Sequence, residues 1–84
     1  MKIKEWIYDK IQDDARRYNR FIDVADTSRN EVGAITADEG GYIEVIVEET
    51  IKETEKAFNV KLSTGEIDGS YMGWNCWIPK SQIK

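Results

Sequence analysis

"YIEVIVEETIKETEKAFNVKL", residues 42–62, can be read as strands or as a helix, and the choice sets the architecture of the whole chain. Ile43, Val45 and Val47 alternate with Glu44, Ile46 and Glu48, which is the period of a strand. Yet "EETIKETEKAF" is rich in helix formers. Ile43, Val47, Thr50, Ile51, Thr54 and Phe58 would also line one face of a helix. Three arguments favour strands. Residues 42–47 are rich in β-branched side chains, which suit a pleated, half-buried surface. Phe58, Val60 and Leu62 alternate with Asn59 and Lys61. One long helix would also leave too few strands to shelter the C-terminal tryptophans. The runner-up is an α+β sandwich in which residues 46–58 are helical.

Downstream, "STGEIDGS" at residues 63–70 reads as a loop, and "YMGWNCWI" at 71–78 alternates again. Trp74, Cys76 and Ile78 fall on one face, and Tyr71, Gly73, Asn75 and Trp77 on the other. The first face is apolar and is expected to be core, with Cys76 as a small buried hydrophobe. Trp77 either packs beneath a helix, the favoured reading, or is exposed. Pro79 cannot donate to a ladder and ends the strand. "KSQI", residues 80–83, makes a turn that tucks Ile83 back.

Upstream, Ile3, Trp6, Ile7, Ile11, Ala15, Tyr18 and Ile22 recur at spacings of three and four. That stripe predicts a helix over residues 3–20, with Trp6 as a core anchor. Residues 23–31 are polar and turn-like. "VGAIT" at 32–36 reads as a short strand, and "ADEGG" at 37–41 as its turn. The expected fold is α+β: an N-terminal helix packed on a small antiparallel sheet, or partly open barrel, of four to five strands. Residues 1–84 form one domain in this reading, with the β-rich part over 32–83.

The chain has no histidine and one cysteine, Cys76. This excludes Ser-His-Asp and Cys-His triads, His metal sites and an intramolecular disulfide. Carboxylates remain, but no spacing marks a catalytic pair, so no enzyme, metal or cofactor is expected. No apolar run is long enough to span a membrane. "MKIKEWIYDK" mixes charges into its apolar residues and is not expected to be a signal peptide. A cytoplasmic protein follows from that reading. The formal charge is −4, and it is uneven: residues 21–55 carry ten acidic groups and two basic ones. Such a stretch is a poor footprint for a polyanion and suits a basic protein partner.

"ETEKA" at residues 53–57 followed by "WIPKSQI" at 77–83 resembles a pattern in small uncharacterised proteins of phages and mobile elements. The resemblance covers roughly residues 43–83. It implies that the first block opens a strand and the second closes a small β-barrel. It also implies a phage or prophage origin and a place in the host-cell cytoplasm. The longer insert "STGEIDGSYMGWNC" and the N-terminal helix depart from the pattern.

Two functional readings compete. In the first the chain is a phage-type, anti-CRISPR-like inhibitor that occupies a nucleic-acid-binding host defence protein. Its partner site would be Asp38, Glu39, Glu44, Glu48, Glu49, Glu53 and Glu55. On a strand, carboxylates two residues apart stand about 6.6 Å apart, a scale similar to that of neighbouring phosphates. The same run also reads as a charged edge strand that blocks sheet-to-sheet aggregation. In the second reading a small barrel binds single-stranded nucleic acid through Tyr71, Trp77, Lys80, Lys56 and Lys61. Direct nucleic-acid binding is the weaker of the two, given the net charge. A protein–protein adaptor with a Trp/Tyr hot spot is a third reading, not separable from the first by sequence.

Overall fold

The computed structural model describes residues 1–65 and 73–84. The chain begins with a strand, β1 (Lys2–Lys4), which runs directly into helix α1 (Glu5–Arg16). Strand β2 (Tyr42–Glu44) pairs antiparallel with β1, setting Ile3 opposite Ile43. Strands β3 (Val47–Glu53), β4 (Ala57–Leu62) and β5 (Trp74–Pro79) form a second antiparallel sheet in the order β3-β4-β5. The fold is therefore α+β: among the described residues there are one N-terminal helix and five strands, in two small sheets that do not close into a barrel. Isolated bridges stitch the sheets together: Ile3 to Ile83, Val24 to Val45, and Ile22 to Thr64.

Strands prevail over a helix at residues 42–62, including 46–58. The stretch bends between β2 and β3, where Val45 turns into the core and Ile46 turns out. The core gathers Ile3, Ile7, Tyr8, Ile11, Ala15, Ile22, Val24, Ile43, Val45, Val60, Leu62 and Ile78. Phe58, Val60 and Leu62 pair with Ile78, Cys76 and Trp74, so the core face of the sheet is the one the alternation marks. Pro79 ends β5, and the 3-10 turn Lys80–Gln82 returns Ile83 to Ile3.

Several expectations need correction. The helix is shorter than residues 3–20. At its start, residues 2–4 find a strand partner far along the chain, so Ile3 is buried from a strand. At its end, Asn19 takes φ 57°, Asn19 N–H donates to the Arg16 carbonyl, and Arg20 N–H donates to the Ala15 carbonyl. This is a Schellman stop with Asn in the left-handed position. The buried Gln12 side chain then clamps the exit, donating to the Arg20 carbonyl and accepting from Ile22 N–H. Trp6 is not a core anchor: it is 56% exposed, beside the buried stripe of Ile7, Ile11 and Ala15. Tyr18 is also exposed. Residues 32–36 form no strand. They form an exposed turn instead, in which Asn30 Oδ1 accepts from the N–H groups of Val32 and Ala34 and Ile35 makes a single bridge to Arg29. Trp77 does not pack beneath the helix and is 50% exposed. Trp74 and Cys76 are half-buried at the margin of the core rather than within it.

Candidate functional site

The two edges of the three-stranded sheet differ in chemistry. On β3 every residue from 48 to 53 is exposed, and the register slips twice, between Val47 and Glu49 and between Thr50 and Lys52. Bulges and charges are the ordinary means of blunting an edge. Strand β5 has neither. Its register against β4 is unbroken, and its sequence, WNCWIP, carries no charge. Among the described residues the backbone of β5 bonds to β4 alone.

Helix α1 lies alongside that open edge. At one end Trp6 Nε1 donates to Gln82 Oε1 at 3.2 Å, just past the C-terminus of β5. At the other end the Tyr18 and Trp74 rings sit 5.6 Å apart, centroid to centroid. The helix therefore runs antiparallel to β5. Between them is a groove of about 270 Å³, with Ile7, Ile11, Trp74 and Cys76 on its apolar floor. Trp6, Lys10 and Asp14 form the helix wall, and Trp77 and Pro79 the strand wall. Burial pushes the Cys76 thiol up to about 11, so it is protonated at neutral pH and is a poor nucleophile.

The seven acidic candidates do not make one row. Asp38, Glu39 and Glu44 belong to the β1–β2 end of the molecule. Asp38 Oδ1 accepts from Gly40 N–H at 2.9 Å and Tyr42 N–H at 3.0 Å, and its carboxylate stands 3.5 Å from Lys2. The Tyr42 N–H, aided by the Gly40 N–H and Lys2, holds this carboxyl below the usual range. Glu44 accepts from the Thr27 hydroxyl at 2.8 Å. Glu48, Glu49, Glu53 and Glu55 come together on β3 and the turn after it. Two of these are occupied, Glu48 by Lys61 at 3.8 Å and Glu53 by Lys80.

The rival basic set is likewise divided. Tyr71 lies outside the described residues. Lys61 and Lys80 are the partners of Glu48 and Glu53, and Lys80 also lies 4.8 Å from the centre of the Phe58 ring. Lys56 sits beside Lys80, whose N–H donates to the Lys56 carbonyl. The acidic candidates of β3 and the basic candidates thus interleave on one sheet rather than form separate surfaces.

Sequence reasoning missed two groupings. One is the groove itself, because Trp6 was absorbed into an apolar stripe. A signal was present: at about 100° per residue Trp6 falls about 140° round the helix from Ile11, the centre of the stripe Ile7, Ile11 and Ala15. The other joins both termini around Tyr42, with Lys4 Nζ at 4.5 Å and Lys84 Nζ at 5.7 Å from the ring centre. Among the described residues, no three His, Cys, Asp or Glu side chains gather to hold a metal, and no helix is long and apolar enough to cross a membrane. No family model, curated protein or solved structure matches this chain.

Proposed function

We propose that this chain is a non-enzymatic binding protein that seats a protein partner in the α1–β5 groove. The observation that carries the reading is the pair Trp6 and Trp77, 56% and 50% exposed, standing on opposite walls of one apolar cleft. Tryptophan is a frequent hot-spot residue because it brings a large rigid apolar surface at low entropic cost. The two indoles contribute little to the core, so their placement favours contact with another molecule. The lack of histidine and the protonated state of Cys76 support a role without chemistry.

The partner class follows from charge. The chain carries −4, and Glu48, Glu49, Glu53 and Glu55 lie two strands from β5, about 10 Å away across the sheet. This favours a partner with a basic surface. The likeness of residues 53–57 and 77–83 to phage and mobile-element proteins narrows the proposal to an inhibitor of a nucleic-acid-binding host defence protein. That role belongs in the host-cell cytoplasm. Single-stranded nucleic acid is the weaker ligand, because Lys61 and Lys80 are already neutralised by glutamates.

The test is capture of partners from host lysate, followed by titration of each purified partner and of an oligonucleotide. Trp6→Ala and Trp77→Ala should each weaken the protein complex about ten-fold or more. Binding should also fall as salt rises. Tight oligonucleotide binding lost in Lys80→Ala would establish the nucleic-acid reading instead.

A further inference from the structure

We propose that the occupant of the groove is an extended segment of the partner, added as a fourth strand antiparallel to β5. The inference rests on the groove being the partner site and specifies how it is filled.

Backbone chemistry carries the first step. One edge of β5 is paired with β4, and among the described residues the other edge has no backbone partner. Helix α1 lies next to that edge but cannot serve it, because a helix consumes its own N–H and C=O groups. An extended chain inserted between the two elements satisfies the edge and packs side chains against the helix. This is strand addition, in which main-chain bonds supply affinity and alternate side chains supply selectivity. The contrast with β3 argues the same way. The chain blunts β3 with bulges and four charged side chains, Glu48, Glu49, Lys52 and Glu53, and leaves β5 without bulge or charge.

Charge selects the segment. Lys10 and Asp14 line the helix wall, and neither is ion-paired among the described residues. A cation four residues before an anion is the less favourable order for pairing within a helix. The two stand about 6 Å apart along the helix axis. Two residues of a strand advance about 6.7 Å. Successive same-face side chains of an added strand therefore meet Lys10 and Asp14 in turn. Because α1 runs antiparallel to β5, a strand antiparallel to β5 travels with the helix and meets Lys10 first. The segment reads acid, any residue, base. The middle residue points to the other face, where Trp77 stands, and is best apolar. Flanking apolar residues on the helix side cover Ile7, Ile11 and Cys76.

The test titrates the isotope-labelled protein with three blocked peptides, followed by NMR. The first is Thr-Val-Glu-Val-Lys-Val-Thr, the second exchanges its Glu and Lys, and the third is the first with alternate amides N-methylated. The first peptide should shift the β5 amides and slow their exchange. The charge-exchanged peptide should bind about ten-fold more weakly. The N-methylated peptide should not bind. The double variant Lys10→Glu with Asp14→Lys should reverse the preference between the first two. Equal affinity of the first peptide and either control, shifts confined to β3, or no binding at millimolar peptide would overturn strand addition. So would a concentration-dependent dimer that protects β5 amides without peptide, since the occupant would then be a second copy. Undiminished partner binding by Trp6→Ala and Trp77→Ala is a separate failure, that of the groove itself.

Discussion

The Lys80 ammonium reaches the Glu53 carboxylate from the far edge of the sheet while lying 4.8 Å from the centre of the Phe58 ring. Glu53 belongs to one candidate interface and Lys80 to its rival, and the fold makes them a single contact. The Glu53 side chain is 57% exposed, so water and salt screen the pair. Lys80→Ala is expected to cost about 1 kcal/mol, from a weak ion pair and a weak cation–π contact. A double-mutant cycle with Glu53→Ala, by thermal or urea melts, should give a coupling below about 1 kcal/mol that shrinks as salt is added.

Asp38 gives the molecule an acid-sensitive turn. Its folded carboxyl titrates below the ordinary 3.8 because the backbone N–H of Tyr42, then that of Gly40 and Lys2, favour the anion. A depressed folded value means the unfolded chain takes up the proton first. The contribution is therefore complete above about pH 5, declines as pH falls through 3.8, and is gone below the folded value. Asp38→Ala should flatten the stability curve over that window and leave the region above it parallel to wild type. Side-chain NMR titration should place Asp38 below 3.8; a value at or above 3.8 would end the argument.

Cys76 works in the opposite direction. Desolvation lifts its thiol from 9.0 to about 11. The neutral form is favoured in the folded state, so this contribution is present below pH 9 and lost as pH rises toward 11. At pH 8 a thiol reagent should label the native protein far more slowly than the same protein in denaturant. A native rate that matches the denatured one would show an accessible thiolate at the floor of the groove.

Legibility in the sequence followed the range of the interactions. Alternation of Phe58, Val60 and Leu62 with Asn59 and Lys61 is local, and β4 could be read directly from it. So could the stop at Pro79 and the return of Ile83. The strand at residues 2–4 was hidden because its cause is Tyr42–Glu44, remote in the chain, and Ile3 fits a helical stripe equally well. The acidic run read as one surface because a straight strand has one period. The real chain bends at residues 45–46 and bulges twice, which divides Glu44 from Glu48 and sets both Glu48 and Glu49 near Lys61. Trp6 was read as interior, and Trp77 as packed beneath the helix with exposure as the alternative, because large apolar residues are usually buried; only the phase of the helix against β5 places both on a rim.

The three tryptophans are expected to separate into one structural and two binding residues. Trp74 is half-buried against the core and meets the Tyr18 ring in a tilted contact, 5.6 Å between centroids. A fully buried tryptophan costs roughly 3–5 kcal/mol when cut to alanine, so Trp74→Ala should cost somewhat less, about 2–3 kcal/mol. Tyr18→Ala should cost about 1 kcal/mol, and the two changes should be less than additive because they remove one shared ring contact. Trp6→Ala and Trp77→Ala remove side chains that are half or more exposed, so each should stay within about 0.5 kcal/mol of wild type apart from the Trp6–Gln82 hydrogen bond. Urea melts of the four variants, set beside partner affinities, test the division. Loss of stability with Trp77→Ala comparable to that with Trp74→Ala would make both residues core supports. Retained stability with lost binding in Trp6→Ala and Trp77→Ala alone would assign the groove its function.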